Sequence, residues 1–173
     1  MSTPTPAPAD RLQAQRVLAV SVIAAVPMLA VVAVILYGLE DYPSPVVAGG
    51  LFVLNLVAFG LAEAIGYRAP AIAPDTEPDI AQRQAFTAMQ QSMMLRFAIT
   101  EAPAILSFVG AALAGSAWVY LVGGFWSLLS LIWHVWPTRR SAAKLARSLE
   151  REGCPSHLVE LFDGASVPGH QQY

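Results

Sequence analysis

The sequence predicts an all-α membrane protein. Four transmembrane helices form an antiparallel bundle, with a cytoplasmic extension of the third helix and a short C-terminal cytoplasmic helical segment. Three observations predict it. Hydrophobic residues make up 55% of the 173 positions and charged residues 13%, against a charged share of about 25% in ordinary soluble domains. Four apolar runs reach the roughly 20 residues needed to cross a bilayer. All ten Lys and Arg residues fall on one side of a four-span arrangement. The length suits one compact unit, and a net charge of -2 argues against nucleic acid as the main partner. Cys154 is the single cysteine, so neither an intrachain disulfide nor a cysteine zinc cluster is available.

Residues 1–16 form a cytoplasmic N-terminus expected to be disordered, with Pro4, Pro6 and Pro8 among small polar residues and Arg11 and Arg16 before the first apolar run. The membrane domain covers 17–136. Its first span, 17–39, is too long for the core of a signal peptide and is expected to stay in place, kinked at Pro27. The acidic turn Glu40-Asp-Tyr-Pro-Ser-Pro45 ends one helix and starts the next. The second span, 46–66, carries Asn55 near its middle and Glu63 near its end. Gly60 and Ala64 there give a small-xxx-small pair of the kind that lets helices approach closely.

A Pro-rich acidic loop follows. Thr76-Glu-Pro-Asp79 reads as a helix start, and Phe86, Met89, Met93 and Phe97 recur at helical spacing, a stripe that reads as packing. The third helix is therefore expected to begin near residue 79, outside the membrane, and to run to about Ala114, with its span over 95–114. Gly115-Ser116 leaves room only for a tight turn, and Ser107, Ala111 and Gly115 offer a close-packing face. The fourth span, 117–136, places Trp118 and Tyr120 at one interface and Trp133 and Trp136 at the other. A basic cytoplasmic helical tail, 137–163, comes next. In it Ala142, Leu145 and Leu149 share a face, and Gly153 and Pro155 stop the helix. Ser156 reads as the cap of a short last helix with Leu158, Leu161 and Phe162, and 164–173 as a disordered tail.

Orientation follows from the charges. Arg11 and Arg16 precede the first span, Arg68, Arg83 and Arg96 lie in or beside the middle loop, and Arg139, Arg140, Lys144, Arg147 and Arg151 follow the last. The opposite turns carry only Glu40 and Asp41. By the positive-inside rule both termini are cytoplasmic, in a bacterial inner membrane. The two halves also echo each other: Gly49-Gly-Leu-Phe52 matches Gly123-Gly-Phe-Trp126, and Pro27 and Pro103 take comparable places.

The polar residues inside the spans are the candidate site. At about 1.5 Å per residue, Glu63 lies roughly 7 Å inside the cytoplasmic face, Arg96 about as deep, and Glu101 roughly 7 Å deeper. His134 is near the same end of the fourth helix. A buried charge needs a partner, so Arg96 is expected to pair with Glu63, Glu101 or both. Two readings of Glu63, Arg96, Glu101 and His134 stand. In one they are packing and topology devices. In the other Glu101 exchanges a proton or cation, or the cluster lines a small polar cavity. The basic tail, Arg139, Arg140, Lys144, Arg147 and Arg151, faces lipid headgroups or a partner. The sequence has no GxxxxGK[ST], HExxH, GxSxG or CxxC motif, and the histidines His134, His157 and His170 are scattered. No cofactor, metal or enzymatic activity is expected.

Arg96-Phe-Ala-Ile-Thr-Glu101-Ala-Pro-Ala-Ile-Leu resembles the third-span signature of small, uncharacterised bacterial four-helix membrane proteins. In these an Arg is followed five residues later by Glu. The resemblance extends over 17–152 and implies no known activity. A more remote resemblance is to the ATP synthase proteolipid subunit, in which a cytoplasmic loop with Arg precedes a helix bearing an essential carboxylate. Glu101, after Arg83-Gln84, would stand in that place. The second span lacks the repeated glycine motif, Glu101 sits nearer the cytoplasmic face, and two extra spans and a basic tail are present. Ring assembly is therefore not expected. The expected function is that of a non-enzymatic accessory or scaffold protein. Its partners are membrane lipids and either a membrane protein complex or copies of itself. The alternative is a small proton- or cation-linked transporter using Glu101.

Overall fold

A computed structural model describes residues 8–160 of the chain, with side chains from Leu12 onward. Among the described residues there are five α-helices and no strand: α1 (Pro8–Tyr37), α2 (Pro45–Ile65), α3 (Pro78–Ala114), α4 (Ala117–Val135) and α5 (Arg139–Leu149), the last followed by a short 3₁₀ turn over Glu150–Glu152. The first four are long and apolar enough to cross a membrane. The boundaries fall within two residues of those the sequence predicts for α2, α3 and α4.

The N-terminus differs. Helix α1 starts at Pro8, so the helix takes in half of the stretch expected to be disordered. Proline is well placed in a first helical turn, where its missing N–H has no partner to lose. Leu12 packs on an apolar core and Gln15 is buried, so side-chain contacts order this turn where composition suggested disorder. Residues 1–7 and 161–173, which include Leu161, Phe162 and the expected C-terminal tail, lie outside the described residues.

The chain divides into two compact units. One holds Ala19–Gly66 and Met93–Trp136. Helix α4 is its organising element: half of its apolar window is buried, against 17% for α1 and for α2. It is tied to each of the other helices by a side chain that donates to a backbone carbonyl. The Tyr120 hydroxyl donates to Val26 O of α1 at 2.8 Å. Asn55 Nδ2 of α2 donates to Gly123 O at 3.2 Å as well as to its own Leu51 O at 2.9 Å. The Ser127 hydroxyl donates to Thr100 O of α3. Tyr120 is thus a core residue, 1% exposed, and not part of an interfacial belt. Its phenol follows the preference of a buried Tyr for a hydrogen-bond acceptor.

Small residues set the helix spacing, but not all of those predicted. A Cβ on Gly123 would overlap Ser107, and Ser107 and Ala111 are fully buried, so α3 and α4 meet backbone to backbone at this level. Gly60 and Ala64 are exposed, and a Cβ on Gly60 would meet nothing. Helix α2 instead packs through Asn55, Ala58 and Ala62. Gly49 and Gly50 are likewise open while Gly123 and Gly124 are packed, so the repeated Gly-Gly pairs do unlike jobs. Gly115 closes α3 at φ +67°, a conformation that glycine adopts without strain. The turn after it meets the turn after α1: Ala117 N donates to Gly38 O at 3.0 Å, Trp118 Nε1 to Leu39 O at 3.0 Å and the Ser116 hydroxyl to Asp41 O at 2.5 Å.

Among the described residues, the second unit comprises 8–18, Tyr67–Ser92 and 137–160. Its core is Ile72, Ala81, Ala85, Met89, Ala142, Leu145, Ala146, Leu149, Cys154 and Leu158. The predicted apolar face of α5 is the face that is buried. Thr138 and Ser141 form a reciprocal capping box at its start. The segment before α3 lies along α5: Ile72 N donates to Leu149 O at 2.8 Å, and Ala69 exchanges hydrogen bonds with the Ser148 hydroxyl at 3.0 and 2.8 Å. The methionines of the α3 stripe, Met89 and Met93, are buried, as expected of packing residues.

Candidate functional site: an arginine clamp between two helix ends

Arg96 is 3% exposed. Its Nη1 donates to His134 O, a carbonyl in the last turn of α4. The last four carbonyls of a helix have no intrahelical partner, and a cation there also opposes the negative end of the helix dipole. The guanidinium therefore caps α4 from the side. Its stem crosses the end of α2. A Cβ on Gly66, the residue that ends α2, would overlap Arg96 Cγ, so only glycine leaves room for the arginine to pass. One side chain from α3 thus fastens the ends of α2 and α4. The Thr100 hydroxyl, one turn on, donates back to Arg96 O at 2.7 Å.

Glu63 and His134 complete this end. Glu63 Oε2 stands 3.8 Å from His134 Nδ1, with the carboxylate side chain 39% exposed and the imidazole fully buried. The His134 ring also meets Phe59 edge-on, 4.5 Å between centroids. The structure therefore brings together three of the four predicted residues, Glu63, Arg96 and His134. The backbone carbonyl that receives Arg96 is the part sequence reasoning missed, since carbonyls leave no signature in the residue string.

Glu101 stands apart. It is partly buried on α3, and its carboxyl forms no hydrogen bond or ion pair with another described residue. The nearby Tyr120 hydroxyl is engaged with Val26 O. The two described pockets of this unit lie elsewhere. A pocket of about 500 Å³ between α1 and α4 is lined by residues such as Pro27, Trp118 and Phe125, and one of about 370 Å³ between α2 and α4 by residues such as Phe52, Phe59 and Trp133. Both linings are predominantly apolar and aromatic.

In the other unit Arg139, Arg140, Arg147 and Arg151 are exposed, and Lys144 is half-buried with Nζ 4.7 Å from the Tyr67 ring centroid. Arg151 Nη2 donates to Ala69 O at 3.3 Å. Part of the basic tail thus holds the segment beside Tyr67 in place. Among the described residues no group of three His, Cys, Asp or Glu side chains is placed to hold a metal. Arranged in this way, the side chains of Asn55, Arg96, Tyr120 and Ser127 join neighbouring helices. Comparison with protein-family models, with curated proteins and with solved structures finds no match to the chain.

Proposed function

We propose that this chain is a multi-pass protein of the bacterial inner membrane that acts as an accessory or scaffold subunit and binds a membrane protein partner. The observation that carries the reading is the use made of the buried polar groups. Arg96, Ser127, Asn55 and Tyr120 each donate to a backbone carbonyl of a neighbouring helix, which joins the helices. Such bonds support the reading of the chain as a membrane frame. The antiparallel four-span arrangement is supported by the meeting of the two turns near Gly38 and Ala117, with Glu63 and His134 near the far ends of α2 and α4 and Arg96 reaching them from the middle of α3. Cytoplasmic termini are supported by the placement of all ten Lys and Arg residues. Exposed Arg139, Arg140 and Arg147 follow the fourth span directly and suit anionic headgroups.

A second reading keeps Glu101 as a proton- or cation-binding carboxylate, and the lack of a hydrogen-bond partner for its carboxyl among the described residues favours it. Native recovery of the tagged protein in mild detergent, at its natural level, tests the first reading. A distinct membrane polypeptide at fixed stoichiometry is the expected result. Recovery as a monomer or homo-oligomer overturns it.

A further inference from the structure

We infer that the outward face of α3 around Glu101 receives a transmembrane helix of a different polypeptide, one carrying a basic side chain at the depth of Glu101. The inference rests on the accessory reading above and names the chemistry of its partner. A carboxylate inside a span is costly unless paired, and such groups pair with one another or line polar paths. Of the other charged or basic groups that the sequence places within the apolar spans, Arg96 donates to His134 O and Glu63 stands beside His134. Glu101 is the exception, since its carboxyl has no hydrogen bond or ion pair with another described residue. The Tyr120 hydroxyl is turned to Val26 O.

The surroundings of Glu101 suit a helix. Ala98, Glu101, Ala102 and Ile105 follow the i, i+3, i+4, i+7 spacing of one helical face. Ala98 and Ala102 are exposed and small, so a second backbone can come close, and Ile105, 51% exposed, extends the contact by a turn. The occupant cannot be a second copy of this chain using its own bases. The intramembrane bases, Arg96 and His134, are 3% and 0% exposed, and the remaining Lys and Arg residues lie outside the apolar spans. A copy would instead set Glu101 against apolar surface or against another Glu101. Charge complementarity therefore calls for a different helix with Lys, Arg or His.

The probe is a synthetic Leu-Ala transmembrane peptide carrying one Lys at its centre, or one turn to either side, with norleucine at the same site as control. Energy transfer between labelled protein and labelled peptide in phosphatidylcholine vesicles reads the association. Interhelical polar contacts in membranes are worth about 1–2 kcal/mol. The Lys peptide at the matching depth is therefore expected to bind about tenfold more tightly than the norleucine peptide. Glu101→Leu should abolish that preference and Glu101→Asp should keep it, each variant checked for native helicity. Equal binding of both peptides to folded protein overturns the inference, as does a preference that survives Glu101→Leu. So does self-association that depends on Glu101. A stoichiometric native partner whose spans lack any basic residue would leave the accessory reading standing and remove this one.

Discussion

Replacing Arg96 by Met separates the charge of the clamp from its bulk. The methionine stem can still cross Gly66, where a Cβ would collide with the arginine. What it loses is the guanidinium that donates to His134 O. A hydrogen bond to a charged group contributes about 1.5–3 kcal/mol, and the abandoned carbonyl at the end of α4 is buried with a fully buried residue. The expected loss is about 2 kcal/mol, roughly a thirtyfold shift in the folding equilibrium. Arg96→Ala should be worse, because large-to-small changes at buried sites cost about 2–5 kcal/mol through the space they leave. Arg96→Lys should fall between wild type and Met, keeping a charge but not the planar fork of donors. Reversible unfolding in mixed micelles, followed by circular dichroism, measures the series. If Arg96→Met matched wild type within about 0.5 kcal/mol, the clamp would not be what holds these helix ends.

Three further outcomes are expected. Gly123→Val should destabilise the bundle by about 1–3 kcal/mol through overpacking against Ser107, whereas Gly60→Ala and Gly49→Ala, which point into open space, should cause no loss in the same unfolding assay. Thr138→Ala should cost about 0.5–2 kcal/mol by removing half of the capping box, and amide exchange should speed up in the first turn of α5 while α4 stays protected. In inside-out vesicles, single cysteines placed at Arg68 and Arg140 in a Cys154→Ser background should react with an impermeant maleimide, whereas one at Asp41 should react only from the opposite side; labelling of all three from one side would refute the positive-inside assignment.

Much of the helical architecture was legible because apolar length and turn chemistry are properties of the residue string. The Gly115-Ser116 turn and the Pro-rich loop before α3 bounded their helices to within a residue or two. The start of α1 was not legible, because Pro4, Pro6 and Pro8 signal disorder by composition, and the contacts of Leu12 and Gln15 that order the turn are tertiary. Tyr120 was misread for a related reason: an aromatic near a span end suits an interface, and only the packing shows its hydroxyl on Val26 O. Small-xxx-small spacing marks Gly60 and Ala64 as readily as Ser107 and Ala111. The sequence does not say which face of a helix meets a neighbour, and the structure buries only the second pair. Within the polar cluster, the shared level of Glu63, Arg96 and His134 followed from counting residues along the helices. The acceptor of Arg96, a carbonyl at a helix end, did not.

Proton flux into liposomes holding the purified protein, driven by a potassium diffusion potential, divides the two functional readings most directly. A frame whose polar side chains are committed to holding helices should conduct no faster than protein-free liposomes, and Glu101→Gln should change nothing. Flux well above that background, abolished by Glu101→Gln in a folded protein, would contradict the account and make Glu101 a carrier of protons.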